Sequence, residues 1–214
     1  MVVHLQVPLL CCLALFAGCG RAEKGGVSAA PKVVVGPAEV DEETAKSIDD
    51  TPFTLTDQDG KAFSSAELAG KVWMGSIFFA NCPGTCFREN QAVAEILAEI
   101  TDPDFMAVSL TCDPDNDTPA VLARYAERFE ADTARWKFLT GGIDVLKRVG
   151  QDTMGLTVEV GVHSERGVVF DRQGRLRGGH HLLDPTELPK LKKLIRAVLA
   201  EPAAMPPAAG GATP

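Results

Sequence analysis

Lys71-Val72-Trp73-Met74-Gly75-Ser76-Ile77-Phe78-Phe79-Ala80-Asn81-Cys82-Pro83-Gly84-Thr85-Cys86 joins a nearly continuous apolar run, 71–79, to a turn-forming segment that carries two cysteines. An apolar run of that length, bounded by Gly70 before it and by Asn81, Pro83 and Gly84 after it, suits a strand buried on both faces. Downstream, Val93, Ile96, Leu97 and Ile100 recur at i, i+3, i+4 and i+7, the spacing of one face of an amphipathic helix. Buried strand, turn with two cysteines, helix: the order places both sulfurs at a strand-to-helix junction. Ligands and reactive groups gather there, at the carboxyl ends of parallel strands.

Outward from this unit the pattern repeats. Phe105 to Leu110 reads as a second strand, and Thr118-Pro119 as a helix cap with a first-turn proline, with Asp117 and Thr118 as capping residues. Val121, Leu122, Tyr125 and Phe129 stripe that helix. Trp136 to Leu139 is a short strand and Ile143 to Val149 a short helix. Val168 to Phe170 and Arg175 to Arg177 flank an Asp-Arg-Gln-Gly turn as a hairpin, and Leu188, Leu191, Leu194, Ile195 and Val198 stripe a last helix. Upstream, Phe53-Thr54-Leu55, the Asp59-Gly60 turn and Lys61-Ala62-Phe63 predict an N-terminal hairpin before a short helix at Ser65 to Leu68. The order β-α-β-α-β-α, hairpin, helix predicts an α/β fold: a thioredoxin-like mixed sheet with helices on both faces and an added N-terminal hairpin.

The chain has 214 residues, enough for one domain with extensions. Its apolar share of 45 % excludes a wholly disordered chain, and its charged share of 23 % excludes a polytopic membrane protein. Net charge is −8, with six acids between Glu39 and Asp50 against Lys46 alone. Residues 51–200 carry 17 Lys and Arg against 21 Asp and Glu with no dense basic run, so no nucleic-acid partner is expected. Val7 to Gly18 is too short an apolar run to span a bilayer and ends in small residues, which reads as a signal peptide over residues 1–18. Leu15-Phe16-Ala17-Gly18-Cys19 is similar to the bacterial lipobox, which implies lipidation of Cys19. Phe16 stands where Leu is usual, and His4 is the sole basic group of the leader. A plain cleaved leader is the alternative, and both routes export the chain. Residues 19–48 are read as a flexible tether, 49–200 as the folded domain, and 201–214, almost entirely Ala, Pro and Gly, as a disordered tail.

Once Cys11 and Cys12 leave with the leader and Cys19 is set aside for lipid, Cys82, Cys86 and Cys112 remain. The positive end of the helix after Cys82 is expected to favour thiolate over thiol. A structural disulfide in an exported domain is the plainer alternative for the pair. Cys112 is either a resolving thiol near the same sheet edge or a small buried hydrophobe. Asp113-x-Asp115-x-Asp117 invites a calcium loop, but Thr118 stands where the loop glycine belongs and Arg124 occupies the twelfth position. His180-His181, beside Gly178-Gly179, reads as a solvated loop and not as a metal site.

Three segments in this order resemble the SCO/SenC family of thioredoxin-fold copper chaperones that assemble cytochrome c oxidase. They are Phe78-Phe79-Ala80-Asn81-Cys82-Pro83-Gly84-Thr85-Cys86, then Ser109-Leu110-Thr111-Cys112-Asp113-Pro114-Asp115-Asn116-Asp117-Thr118-Pro119, then Val162-His163-Ser164 ahead of a strand and an Asp-x-x-Gly turn. The resemblance covers residues 48–200 and implies copper ligation by Cys82, Cys86 and His163. Phe87 departs from the family's proline, which bears on the start of the helix, and Val162 from its aspartate, which removes a carboxylate that would orient the histidine ring. Two thiolates and an imidazole form a soft site that selects Cu(I) and accepts Cu(II) with a weak further ligand, whereas zinc wants four. The implied partner is the copper-centre subunit of a haem-copper oxidase, reached from a membrane anchor on the periplasmic or outer side. The alternative is a thiol-disulfide reductase acting on that centre's cysteines, with Cys82 and Cys86 as its catalytic pair. A peroxiredoxin reading lacks the Thr expected ahead of a peroxidatic cysteine.

Overall fold

The structure is a computed structural model that describes residues 47–160, 162 and 164–202. Its seven described strands are β1 (Thr54–Asp57), β2 (Ala62–Ser64), β3 (Val72–Phe78), β4 (Phe105–Thr111), β5 (Trp136–Thr140), β6 (Arg166–Phe170) and β7 (Leu176–His181). They form one sheet in the order β2-β1-β5-β4-β3-β6-β7. The centre is parallel, β3 against β4 and β4 against β5, and the flanks are antiparallel. The mixed α/β architecture read from the sequence is therefore the one adopted. The expected N-terminal hairpin is β1–β2, followed by a 3-10 turn at Ser65–Leu68 whose start is fixed by a capping box between Ser64 and Glu67.

The helices are α1 (Cys86–Glu99), α2 (Pro119–Glu127), α3 (Ile143–Arg148) and α4 (Leu188–Leu199). Both parallel crossovers step the same way along the sheet, so right-handedness puts α1 and α2 on one face. Phe78, at the end of β3, stacks on Tyr125 of α2 with ring centroids 5.1 Å apart. Asn90 of α1 donates to the Tyr125 hydroxyl at 3.1 Å. Glu99 of α1 accepts from Lys192 and Arg196 at 2.6 and 3.1 Å, which brings α4 to the same side. Side chains alternate along β3, so Gly75 and Ile77 face the other way. A methyl group on Gly75 would press on Met154, and one on Gly150 would press on Val158 and touch Ile77, so the second face is covered by the chain that follows β5.

The predicted stripes are the buried ones. Val93, Ile96, Leu122, Leu191 and Ile195 are fully buried, each worth about 1.5–3 kcal/mol of transfer from water. Among the boundaries that differ from the sequence reading, two change how the chain is read. The helix begun at Ile143 passes at Val149 into a π-helical turn, Val149–Thr153, in which Gly150 lies against Val158 with no room for a side chain. β7 runs on through Gly178 and Gly179 to His181, so the two histidines lie in a strand and not in a loop. The hairpin turn is set by Asp171, whose carboxylate accepts from the amides of Gln173 and Arg175, and by Gly174 at φ 69°. Glu201 is tied back by Arg177, which donates to its carboxylate at 2.6 and 2.8 Å. The leader, Cys19 and the chain up to residue 46 lie outside the described residues, as do 203–214.

Candidate metal centre

Cys82 sits in the turn after β3, its amide donating to the Phe79 carbonyl at 3.3 Å. Cys86 is the first residue of α1 and is 1 % exposed, whereas Cys82 is half-buried. The two thiols are hydrogen-bonded to each other. Phe87 leaves the helix start at Cys86 and packs instead on Phe129, with Arg128 over its ring at 4.5 Å. Asn90 fixes the turn beneath, donating to the Cys86 carbonyl at 3.0 Å as well as to Tyr125.

The expected thiolate is not what the site favours. Burial, then the hydrogen bond with Cys82, hold the Cys86 thiol well above its ordinary value, against a backbone hydrogen bond from Phe79. Glu89, one turn along, adds like-charge repulsion. Desolvation at a 1 % exposed sulfur outweighs the partial charge of the helix terminus.

Glu89 is the functional-region residue that the sequence reading missed. It is 3 % exposed, one carboxylate oxygen has no hydrogen-bond partner, and burial pushes its pKa up to about 7 despite a hydrogen bond from the Thr85 side chain. The signal was legible: position 89 lies four residues before Val93, on the buried stripe of α1.

Asp117 does not cap α2. Thr118 occupies the cap position without a side-chain bond, while the Asp117 carboxylate accepts from the Ala80 amide at 3.0 Å and from the Thr111 hydroxyl at 2.5 Å. It thus ties the cysteine turn to the end of β4. The Asp113 carboxylate accepts from the Asn116 side-chain amide at 3.0 and 2.9 Å. Cys112 follows β4, its amide donating to the Phe78 carbonyl at 2.8 Å, and burial pushes its thiol up to about 12. His180 pairs with Glu187 at 2.7 Å and His181 with Glu165 at 3.4 Å. Val162 is described, its amide donating to the Glu159 carbonyl, and His163 lies outside the described residues. Among the described residues, no three His, Cys, Asp or Glu side chains gather into a metal cage. The described part of the site is a two-sulfur donor set, open to solvent through Cys82.

A thioredoxin-like sheet with two cysteines at the carboxyl end of a central parallel strand defines the class, a protein built for thiol or soft-metal chemistry. Within that class the chain belongs to the SCO1/SenC family, whose sequence model matches residues 41–178. It is 33 % identical over 92 residues to the SCO1 protein homolog of Bacillus subtilis (strain 168), covering 42 % of this chain and 48 % of that one. The match thus spans between about a quarter and a half of the length of the curated relatives. Among solved structures it resembles a SCO1/SenC family lipoprotein from Bacillus anthracis str. Ames, with TM-score 0.63 and 26 % identity over 69 % of this chain and 93 % of that one. BsSco, a member of the Sco family of cytochrome c oxidase assembly proteins in which a disulfide switch was identified, superposes with TM-score 0.62 at 21 % identity, over 69 % and 91 %. Bradyrhizobium japonicum ScoI with copper bound superposes with TM-score 0.54 at 23 % identity, over 69 % and 97 %. The last two likenesses establish the fold.

Proposed function

We propose that this chain is a copper-carrying assembly factor that delivers copper to the copper-centre subunit of a haem-copper oxidase, with Cys82, Cys86 and His163 as ligands. The observation that carries this is the pair of hydrogen-bonded thiols, one buried and one half-buried, at the β3–α1 junction of a SCO1/SenC family chain. The solved ScoI with copper bound supports copper as the cargo. The donor chemistry agrees, because two sulfurs and an imidazole prefer Cu(I), and Cu(II) with one weak further ligand, over harder cations. Residues 1–18 would direct export, Cys19 would carry the lipid, residues 19–48 would tether the 49–200 domain, and 201–214 would form the tail. The lipoprotein from Bacillus anthracis is in line with an anchored form on the periplasmic or outer side.

A second reading, thiol-disulfide reduction of the oxidase subunit's cysteines, is favoured by the contact between the Cys82 and Cys86 thiols, which a disulfide would replace. His163→Ala separates the two. Copper transfer needs the imidazole and disulfide exchange does not. In cells carrying His163→Ala, oxidase copper-centre assembly is expected to fail while the purified variant still exchanges disulfides. Normal assembly in His163→Ala, with failure in Cys82→Ser, would overturn copper delivery in favour of the reductase.

A further inference from the structure

The site holds more sulfur than its proposed function uses. Cys112 stands one residue past β4, at the edge of the sheet where β3 delivers Cys82. Parallel pairing of Phe78 with Thr111, continued one residue past both strand ends, places Cys112 beside Phe79, about 4.8 Å away. The turn from Phe79 to Cys82 is closed by the 3.3 Å bond from the Cys82 amide, a chain reversal that spans less than about 7 Å. Two further bridges join the segments that carry the two cysteines. The Cys112 amide donates to the Phe78 carbonyl, and Asp117 accepts from both Ala80 and Thr111. Cys86 and Cys112 are both 1 % exposed. Cys82, half-buried, thus lies in a turn whose backbone runs beside the end of β4 on one side and into Cys86 at the start of α1 on the other.

We propose that Cys112 is a third redox-active thiol that exchanges with a Cys82–Cys86 disulfide, transferring the bond to Cys82–Cys112 and returning Cys86 as a thiol. The starting disulfide forms when a protein or small-molecule disulfide takes two electrons from the Cys82–Cys86 pair and leaves as two thiols. Cys112 then gives up its proton and its sulfur attacks the Cys82 sulfur. The bond to Cys86 breaks, and the Cys86 sulfur leaves with the electron pair and takes a proton. No net oxidation occurs in this second step, so no further oxidant is required. The product keeps Cys82 masked, with Cys86 available as a lone sulfur. The oxidised chain therefore has two forms that differ in which buried sulfur is exposed to chemistry.

This rests on the thiol-pair reading of the site and not on its copper chemistry, so the test uses metal-free full-length protein. The reduced chain is incubated with oxidised glutathione, quenched in acid, alkylated and digested, and its disulfide-linked peptides are assigned by mass, with those of Cys11, Cys12 and Cys19 resolved separately. Wild type is expected to yield both Cys82–Cys86 and Cys82–Cys112 peptides. Cys112→Ser should yield only the first, and Cys86→Ser should convert mainly to Cys82–Cys112. A wild-type digest without any Cys82–Cys112 peptide overturns the proposal, and that measurement depends on no variant folding. So does a folded Cys86→Ser protein that ends glutathionylated at Cys82 with Cys112 fully alkylated. If wild type forms no Cys82–Cys86 disulfide yet Cys86→Ser forms Cys82–Cys112, the exchange fails together with the reductase reading, and only the proximity of Cys112 stands. Loss of copper loading in a chain that gives the expected peptides would instead count against copper delivery alone.

Discussion

Glu89 joins the chemistry of the site to the stability of the fold. Its pKa near 7 lies above the ordinary 4.5 because the carboxyl is buried, so between those pH values the folded state holds a proton that the unfolded chain has released. Its contribution is then fully present below about pH 4.5 and is lost as pH rises through 7. A shift of this size corresponds to on the order of 3 kcal/mol. Urea denaturation of metal-free wild type and Glu89→Gln at pH 5 and pH 8 should show wild type losing more stability over that interval. Parallel pH dependence in the two proteins would contradict the burial argument. The raised Cys86 thiol makes a second prediction at this scale. The Cys86 sulfur must be deprotonated to bind metal, so copper uptake should release protons and strengthen with rising pH. Calorimetry in buffers of different ionisation enthalpy counts those protons, and a pH-independent affinity would mean that the thiols are not the ligands.

Among the elements, two contacts decide how β3 meets its neighbours. The π-helical turn after α3 lets Gly150 lie against Val158, where any side chain would collide with that valine. Gly150→Ala should cost about 1–3 kcal/mol, as overpacking of a full core does. Thermal unfolding should show the loss, and Val158→Ala should recover part of it in the double variant, since the two sites are in contact. Additive effects would place the strain elsewhere. Asp117 is the other contact. Asp117→Ala leaves the Ala80 amide and the Thr111 hydroxyl without their acceptor, at about 1–3 kcal/mol for each buried group so orphaned. Besides lowering stability, it should loosen the cysteine turn and speed alkylation of Cys112 in the folded protein. An unchanged alkylation rate would show that the clamp does not guard that thiol.

For the whole molecule, the question is where the domain is held. Among the described residues no helix is long and apolar enough to cross a membrane, and the anchor proposed above is the lipid on Cys19. Under the proposed tether, roughly 29 residues after a Cys19 lipid would span about 30 Å r.m.s. if they behaved as a coil, enough to let the cysteine end of the sheet turn toward a membrane-bound acceptor. Cys19→Ser is expected to move the protein to the soluble fraction with copper binding intact. Unchanged membrane association would remove the lipoprotein reading.

Hydrophobic period and punctuation were sufficient for the architecture. The unbroken run at Val72–Phe78, the i, i+3, i+4 stripe from Val93, the first-turn Pro119 and the Asp171–Gly174 turn each act locally, so strand, helix and hairpin can be read without knowing their neighbours. The same local reading put Cys82 and Cys86 at a strand-to-helix junction. Burial and long-range partners are not local, and there the sequence misled. Asp117 has the look of a cap, but its carboxylate is claimed by Ala80, 37 residues away. Cys86 has the position of an activated thiol, but the packing around α1 removes the solvent that a thiolate needs. Tertiary structure alone decided which charges are desolvated and which sulfurs are neighbours, because both depend on the summed proximity of segments that periodicity cannot relate.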